Sequence, residues 1–190
     1  LRSTPVEDTL RAASARNAGK YCGIDLPEGL VKNQRLPEPW CTPTTKDSEH
    51  DVPIAPADIV ASGRMTQEQW EACSKAALAI FARGQAVALS RGLVLVDTKY
   101  ELGRRPDGEV VLIDEIHTPD SSRYWYVEGY EELMRAGEPP RSLDKEFLRR
   151  WLASQGFLGD GAPPPLSQEI RMEASRRYIE TFESLTGTSF

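Results

Sequence analysis

At 190 residues with 39% hydrophobic side chains, the chain is sized for one ordinary domain or two small lobes around a core. Its 29 acidic and 23 basic side chains leave a formal net charge of −6, which argues against a nucleic-acid partner held by general attraction to phosphate but leaves room for a local Arg/Lys pocket for small anions. No apolar run reaches membrane-span length, and Cys22, Cys41 and Cys73 offer neither an even disulfide set nor metal-ligand spacing, so a reducing cytoplasmic setting is expected.

The polar start Leu1-Arg2-Ser3-Thr4 is neither a signal peptide nor an initiator methionine, and the chain is expected to begin inside a longer gene product. Residues 1–21 form a poorly defined N-terminal segment, with an Ala-rich stretch from Leu10 to Ala18 that suits a short helix or a loose coil. Between Gly23 and Pro56 six prolines interrupt regular structure and predict an extended loop region. Thr66 is a good N-cap, and Trp70, Cys73, Ala77, Ile80, Phe81, Gly84, Val87 and Ala88 recur at helical spacing, predicting a long amphipathic helix that stops at Gly92.

Leu93-Val94-Leu95-Val96 then begins a strand expected to run through Glu101, followed by a second strand over Val110–Asp114. Pro106-Asp107-Gly108 between them is a turn signal, so the two strands are expected to form a hairpin. Two further helices are predicted, from about Ser142 to Ser154 and from about Ser167 to Leu185, with Pro163-Pro164-Pro165 as a stiff linker between them. The order reads as α+β, an antiparallel sheet with packed helices.

Alternation along the first strand puts Asp97, Lys99 and Glu101 on one face. With Asp107-Gly108 as the two central turn residues, Pro106 pairs with Glu109 and Glu101 falls opposite Asp114, two carboxylates roughly 5 Å apart. Opposed carboxylates repel unless a cation lies between them, which makes Glu101 and Asp114 a magnesium pair with room for nucleotide phosphate oxygens. Lys99 on the same face suits a phosphate or a carboxylate. The same alternation also fits a solvated polar face, and a one-residue slip would send Asp114 to the other side.

After the hairpin, Thr118-Pro119-Asp120-Ser121-Ser122-Arg123 combines a tight turn, hydroxyls and a guanidinium, which suits an anionic ligand; Asp120 and Ser121 could equally only cap the turn. A second hydroxyl-rich run, Thr42-Pro43-Thr44-Thr45-Lys46, precedes Glu49-His50-Asp51 and reads otherwise as a solvated loop. His50 and His117 lack a Ser or Cys partner at triad spacing. Lys145 and Arg149, four apart, share a helix face that could reach a phosphate or simply coat the surface.

Asp97-Thr98-Lys99-Tyr100-Glu101-Leu102-Gly103 and Asp114-Glu115-Ile116-His117-Thr118-Pro119-Asp120-Ser121-Ser122-Arg123-Tyr124-Trp125 resemble two characteristic stretches of the phosphoribosylaminoimidazole-succinocarboxamide synthase (SAICAR synthetase) family. Leu36-Pro37-Glu38-Pro39, Thr42–Lys46, Glu49-His50-Asp51, Asp144–Arg149 and the closing Tyr178–Gly187 segment resemble further family stretches in family order, from about Cys22 to the end. Residues 22–190 are thus expected to form an ATP- and substrate-binding domain of that type.

The resemblance implies a ligase that joins L-aspartate to carboxyaminoimidazole ribonucleotide, with ATP as co-substrate and Mg2+ as cofactor, giving the succinocarboxamide (SAICAR), ADP and phosphate in de novo purine biosynthesis. It implies Glu101 and Asp114 at magnesium and the ATP phosphates, with Lys99 and Asp120 in catalytic positions. Ser121, Ser122 and Arg123 would bind the ribotide, Lys145 and Arg149 its 5′-phosphate, and Thr44, Lys46, His50 and Asp51 the substrate or aspartate. Neither the family's N-terminal β-rich lobe, with its phosphate loop, nor its Arg and Thr-Gly-Ser segment is matched in residues 1–21, so that lobe is expected to be absent. The alternative is a truncated, non-catalytic ribotide-binding remnant.

Overall fold

The computed structural model describes residues 20–46, 51–143 and 145–190. The expected Leu10–Ala18 stretch, His50 and Asp144 lie outside these residues. The chain divides after Leu78 into two compact units.

The first unit contains two short antiparallel ribbons where an extended loop is expected. β1 (Lys20–Tyr21) pairs with β2 (Ile24–Asp25) through a turn in which Cys22 and Gly23 both take positive φ, 49° and 81°, the signature of a tight two-residue hairpin. β3 (Thr44–Lys46) pairs with β4 (Asp51–Pro53), and Ile54 N–H donates to Pro43 O at 3.1 Å to extend the ladder. The prolines limit these strands to two or three residues but do not abolish pairing. The helix α1 (Pro56–Ala61) follows, with proline in its first turn, where a missing N–H costs nothing. Burial holds the Cys22 thiol up at about 11, so it stays protonated.

The long helix α2 (Gln67–Ser90) starts as its sequence predicts. Thr66 Oγ1 accepts from Gln69 N–H at 3.3 Å and Gln69 Oε1 accepts from Thr66 N–H at 2.9 Å, a reciprocal capping box. Gly92 ends it in the left-handed region at φ 74°.

In the second unit β5 (Leu93–Thr98) does not pair with the following hairpin. The hairpin is a separate ribbon of β6 (Leu102–Arg104) and β7 (Val110–Leu112), and β5 pairs antiparallel with β8 (Ser122–Tyr126). Two helices follow the expected pattern: α4 (Glu146–Ser154), after a short α3 (Tyr130–Ala136), and α5 (Gln168–Thr186), whose N-cap Ser167 accepts from Ile170 N–H at 3.4 Å. The expected helix start at Ser142 is corrected to Glu146. Ser142 instead bridges to Trp125, and Leu143 N–H donates to Tyr124 O at 3.0 Å, so β8 captures this segment as an edge before the helix begins.

Ala88 of α2, Leu93 and Leu95 of β5, Tyr124 of β8 and Leu143 form the core of this unit, with Phe81, Tyr126 and Leu185 packed against it. The result is α+β with short antiparallel ribbons and, among the described residues, no helix long and apolar enough to cross a membrane. Leu95 is 1% exposed at the centre of this core. We expect Leu95→Ala to cost about 2–5 kcal/mol, read as a lowered urea midpoint of the second unit.

Candidate functional site

The site rests on a break in the β5–β8 ladder. Leu93 and Leu95 pair with Tyr126 and Tyr124, but the register shifts between Leu95 and Asp97, after which Asp97 faces Arg123 and Thr98 faces Ser122. Strict alternation would put Asp97 on the core face with Leu93 and Leu95. One extra residue in β5 moves the acid to the other face, beside Arg123, while Leu95 stays buried.

Arg123 Nε donates to Asp97 Oδ1 at 2.8 Å and Nη2 donates to Oδ2, a two-pronged pair in which the guanidinium is 19% exposed and the carboxylate 41%. Thr98 Oγ1 and the buried Ser122 Oγ are 2.8 Å apart, and Lys99 N–H donates to Ser121 O at 3.0 Å, so pairing continues past the named strands. Thr118 organises the turn before β8: its carbonyl accepts from Ser122 N–H at 2.9 Å and its Oγ1 from Ser121 N–H at 3.2 Å, while its hydroxyl donates to Glu115. Ser121, Ser122 and Arg123 are thereby fixed together beside the backbone of Lys99.

Each predicted cation of this unit lies against an acid. Lys99 Nζ is 3.0 Å from Glu101 Oε1, Lys145 Nζ is 3.0 Å from Asp120 Oδ1, and Arg149 pairs with Glu146. The Lys145 contact ties the start of α4 to the turn at Asp120. These partly exposed pairs contribute little stability, about 0–1 kcal/mol each, so their value is positional.

The expected opposition of Glu101 and Asp114 is corrected by the ribbon register. Leu102 pairs with Leu112 and Gly103 with Val111, and Ile113 N–H donates to Glu101 O at 3.0 Å, so Ile113, not Asp114, stands across from Glu101. The cause is the turn. Gly108 N–H donates to Arg105 O and Arg105 N–H to Glu109 O, both at 2.9 Å, with Gly108 at φ 95°. Pro106-Asp107 are therefore the central residues of the turn, and Gly108 is an added bulge residue that shifts every pair by one. Asp114 falls just past the ribbon, at an exposed bend, and β5 ends at Thr98 rather than at Glu101.

Among the described residues no group of three or more His, Cys, Asp or Glu side chains could hold a metal ion. Among these residues a protein-only metal cage is not preformed. Magnesium carried with a nucleotide needs only one or two protein carboxylates, and Glu101 and Asp114 flank the same end of the β6–β7 ribbon.

Thr44, Lys46 and Asp51 belong to the first unit, where Lys46 pairs in register with Asp51 and Thr44 with Pro53; Thr44 and Asp51 are exposed. His50 lies outside the described residues.

Three residues essential to this arrangement carry no role in the sequence analysis: Asp97 as partner of Arg123, Gly84 and Tyr100. His117 sits at φ 58°, its Nε2 is 2.5 Å from Tyr100 Oη, and its carbonyl accepts from Tyr124 Oη at 2.7 Å. A Cβ on Gly84 would lie 2.2 Å from His117 Cε1, so α2 needs glycine there to seat the ring. Burial lowers the His117 pKa and raises those of Tyr100 and Tyr124 to about 12, which keeps the imidazole neutral and both phenols protonated at neutral pH. The Tyr, His and Gly positions were legible as types, but no local pattern announces that they meet.

Cations held by acids around a hydroxyl-rich turn, on an α+β frame, characterise this unit. The SAICAR synthetase family model matches residues 1–162, and the chain belongs to that family. It is 52% identical over 172 residues to the phosphoribosylaminoimidazole-succinocarboxamide synthase of Legionella pneumophila (strain Lens), covering 90% of this chain and 55% of the relative. The structure of SAICAR-synthase from Saccharomyces cerevisiae complexed with SAICAR superposes with a TM-score of 0.78 at 32% identity, over 96% of this chain and 57% of that one. A type-2 SAICAR synthetase in complex with ADP matches with a TM-score of 0.62 at 26% identity, over 85% and 56%. The chain spans about half the length of the curated relatives it matches.

Two outcomes follow from the His117 seat. Gly84→Ala gains helix propensity of about 1 kcal/mol but must displace the ring, and we expect a net loss of about 1–3 kcal/mol in chemical denaturation. Because the folded-state pKa of His117 lies below its ordinary 6.5, its contribution is complete above that value and is lost as pH falls from there through the folded pKa. Thermal unfolding should show this loss in the parent chain, and His117→Gln should remove that component.

Proposed function

We propose that this chain carries substrate-binding machinery for the ATP-dependent ligation of L-aspartate to carboxyaminoimidazole ribonucleotide, which forms SAICAR, ADP and phosphate in de novo purine biosynthesis. The reading is carried by the Asp97–Arg123 fork beside the Thr118–Ser122 turn, in a member of the SAICAR synthetase family. Residues 22–190 contain the whole assigned set and act as the ATP- and substrate-binding domain, in a cytoplasmic setting that suits three unpaired thiols.

In the reaction assigned here, the ribotide carboxylate attacks the γ-phosphorus of ATP, ADP leaves, and an acyl phosphate forms. The aspartate amine then attacks the acyl carbon, the C–O bond to phosphate breaks, and the amine loses a proton to give the amide. Lys99 exchanges Glu101 for the anionic carboxylate or phosphoryl group and stabilises the charge that develops there. Asp120 positions Lys145, which with Arg149 receives the 5′-phosphate. Ser121, Ser122 and Arg123 hold the ribotide, and Thr44, Lys46, His50 and Asp51 serve the substrate or aspartate. Glu101 and Asp114 would hold magnesium with the nucleotide phosphates, where the ion offsets phosphate charge.

The test is SAICAR formation, followed with ATP, magnesium, L-aspartate and the carboxylated ribotide. Product that requires all three substrates is expected, and Arg123→Lys, which keeps the charge but loses the fork, should raise the ribotide KM by about ten-fold or more. Ribotide binding without turnover would mark the chain as a non-catalytic binding portion. Absence of ribotide binding would end both readings.

A further inference from the structure

A second cationic feature lies in the second unit, formed by residues to which the ligation assigns no role. A cavity of about 360 Å3 has Arg141, Arg150, Arg176 and Arg177 among its lining residues, with Tyr126, Ser142 and a single acidic residue, Glu180. Four cations against one anion, in a chain of net charge −6, concentrate positive potential in one concavity.

Its wall is built by backbone pairing. Tyr126 N–H donates to Arg141 O, and Leu143 N–H to Tyr124 O, both at 3.0 Å, so residues 141–143 lie along β8 as an added edge. Arg177 Nη1 donates to Ser142 O at 2.6 Å and fastens α5 to that edge. Glu173 draws both helix arginines, with Arg176 Nε at 2.8 Å and Arg177 Nε at 2.7 Å, and the Arg176 hydrogen bond is the main cause of its pKa falling to about 2. Glu180 accepts from both Tyr126 Oη and Arg176.

The remaining two arginines differ. Arg141 rests on the Tyr126 ring, 4.5 Å from its centroid, and Arg150 projects from α4; both are exposed, and neither makes an ion pair among the described residues. Ser142 also lines the cavity, and its buried Oγ has no hydrogen-bond partner among the described residues.

We propose that this cavity binds a phosphate-bearing small anion. Arg141 and Arg150 supply guanidinium forks from two separate elements. A phosphate group presents several acceptor oxygens on one tetrahedral centre and can engage both forks at once, whereas a single carboxylate presents two. The ligand is either a diphosphate or a phosphate monoester.

The test titrates pyrophosphate, glycerol phosphate and citrate into the full chain and into an R141A/R150A variant by calorimetry, with circular dichroism confirming that the variant folds. Both arginines are exposed and outside the core, so the variant is expected to fold and to keep the parent ribotide and ATP KM values. A saturable phosphate-binding event in the parent that weakens about ten-fold or more in the variant supports the site. Tighter binding of pyrophosphate assigns it to a diphosphate, and tighter binding of glycerol phosphate to a monoester. Equal affinity of parent and variant for both phosphate probes, or tighter binding of citrate than of either, overturns the proposal. A change in the ribotide or ATP KM of the variant would also overturn it, by placing these arginines in the ligation site instead.

Discussion

Arg123 and Asp97 meet because β5 gains one residue between Leu95 and Asp97 while β8 does not. The apolar half of β5 can then face Tyr124 and Leu143 in the core while the next acidic residue turns outward to a guanidinium on the neighbouring strand. Without that extra residue, the same two strands would either bury a carboxylate or expose Leu95, and both cost more than the local disorder of a bulge. The Ser121–Arg123 turn, the Thr98–Ser122 hydroxyl contact and the added edge at Ser142 all inherit their positions from this pairing.

The turn between β5 and β8 is fixed from two sides. Thr118 closes it through its carbonyl and hydroxyl, and the His117 ring is seated against Gly84 with Tyr100 Oη at its Nε2, while Tyr124 Oη donates to the His117 carbonyl. Burial keeps the His117 imidazole neutral, so the seat acts as a packing element near neutral pH rather than as a charge. The cations nearby are each held by an acid, which orders their side chains.

Features governed by neighbouring residues were legible in the sequence. Thr66 and Gln69 cap α2 through atoms three residues apart, Gly92 stops it, and Ser167 starts α5. The turn at Pro106-Asp107-Gly108 was also legible, but its type was not, and the resulting one-residue shift separates Glu101 from Asp114 across the ribbon. The aromatic run Ser122-Arg123-Tyr124-Trp125-Tyr126 has strong strand chemistry, yet its partner lies more than twenty residues away, and local pattern does not choose between β5 and the nearer hairpin. The same distant pairing holds Ser142 and Leu143 out of the helix their sequence suggests. Ser121, Ser122 and Arg123 were legible as a motif; the acid that aligns Arg123 emerged only from the fold.

The central claim is that the guanidinium aligned by Asp97 receives the ribotide. NMR observation of the Arg123 side-chain Nε–H resonance during titration with the carboxylated ribotide tests it most directly. A saturating shift of that resonance, abolished in Asp97→Asn while the ring signals of His117 stay in place, is the predicted result. Saturation of the chain with ribotide while the Arg123 signal remains unmoved would contradict the account.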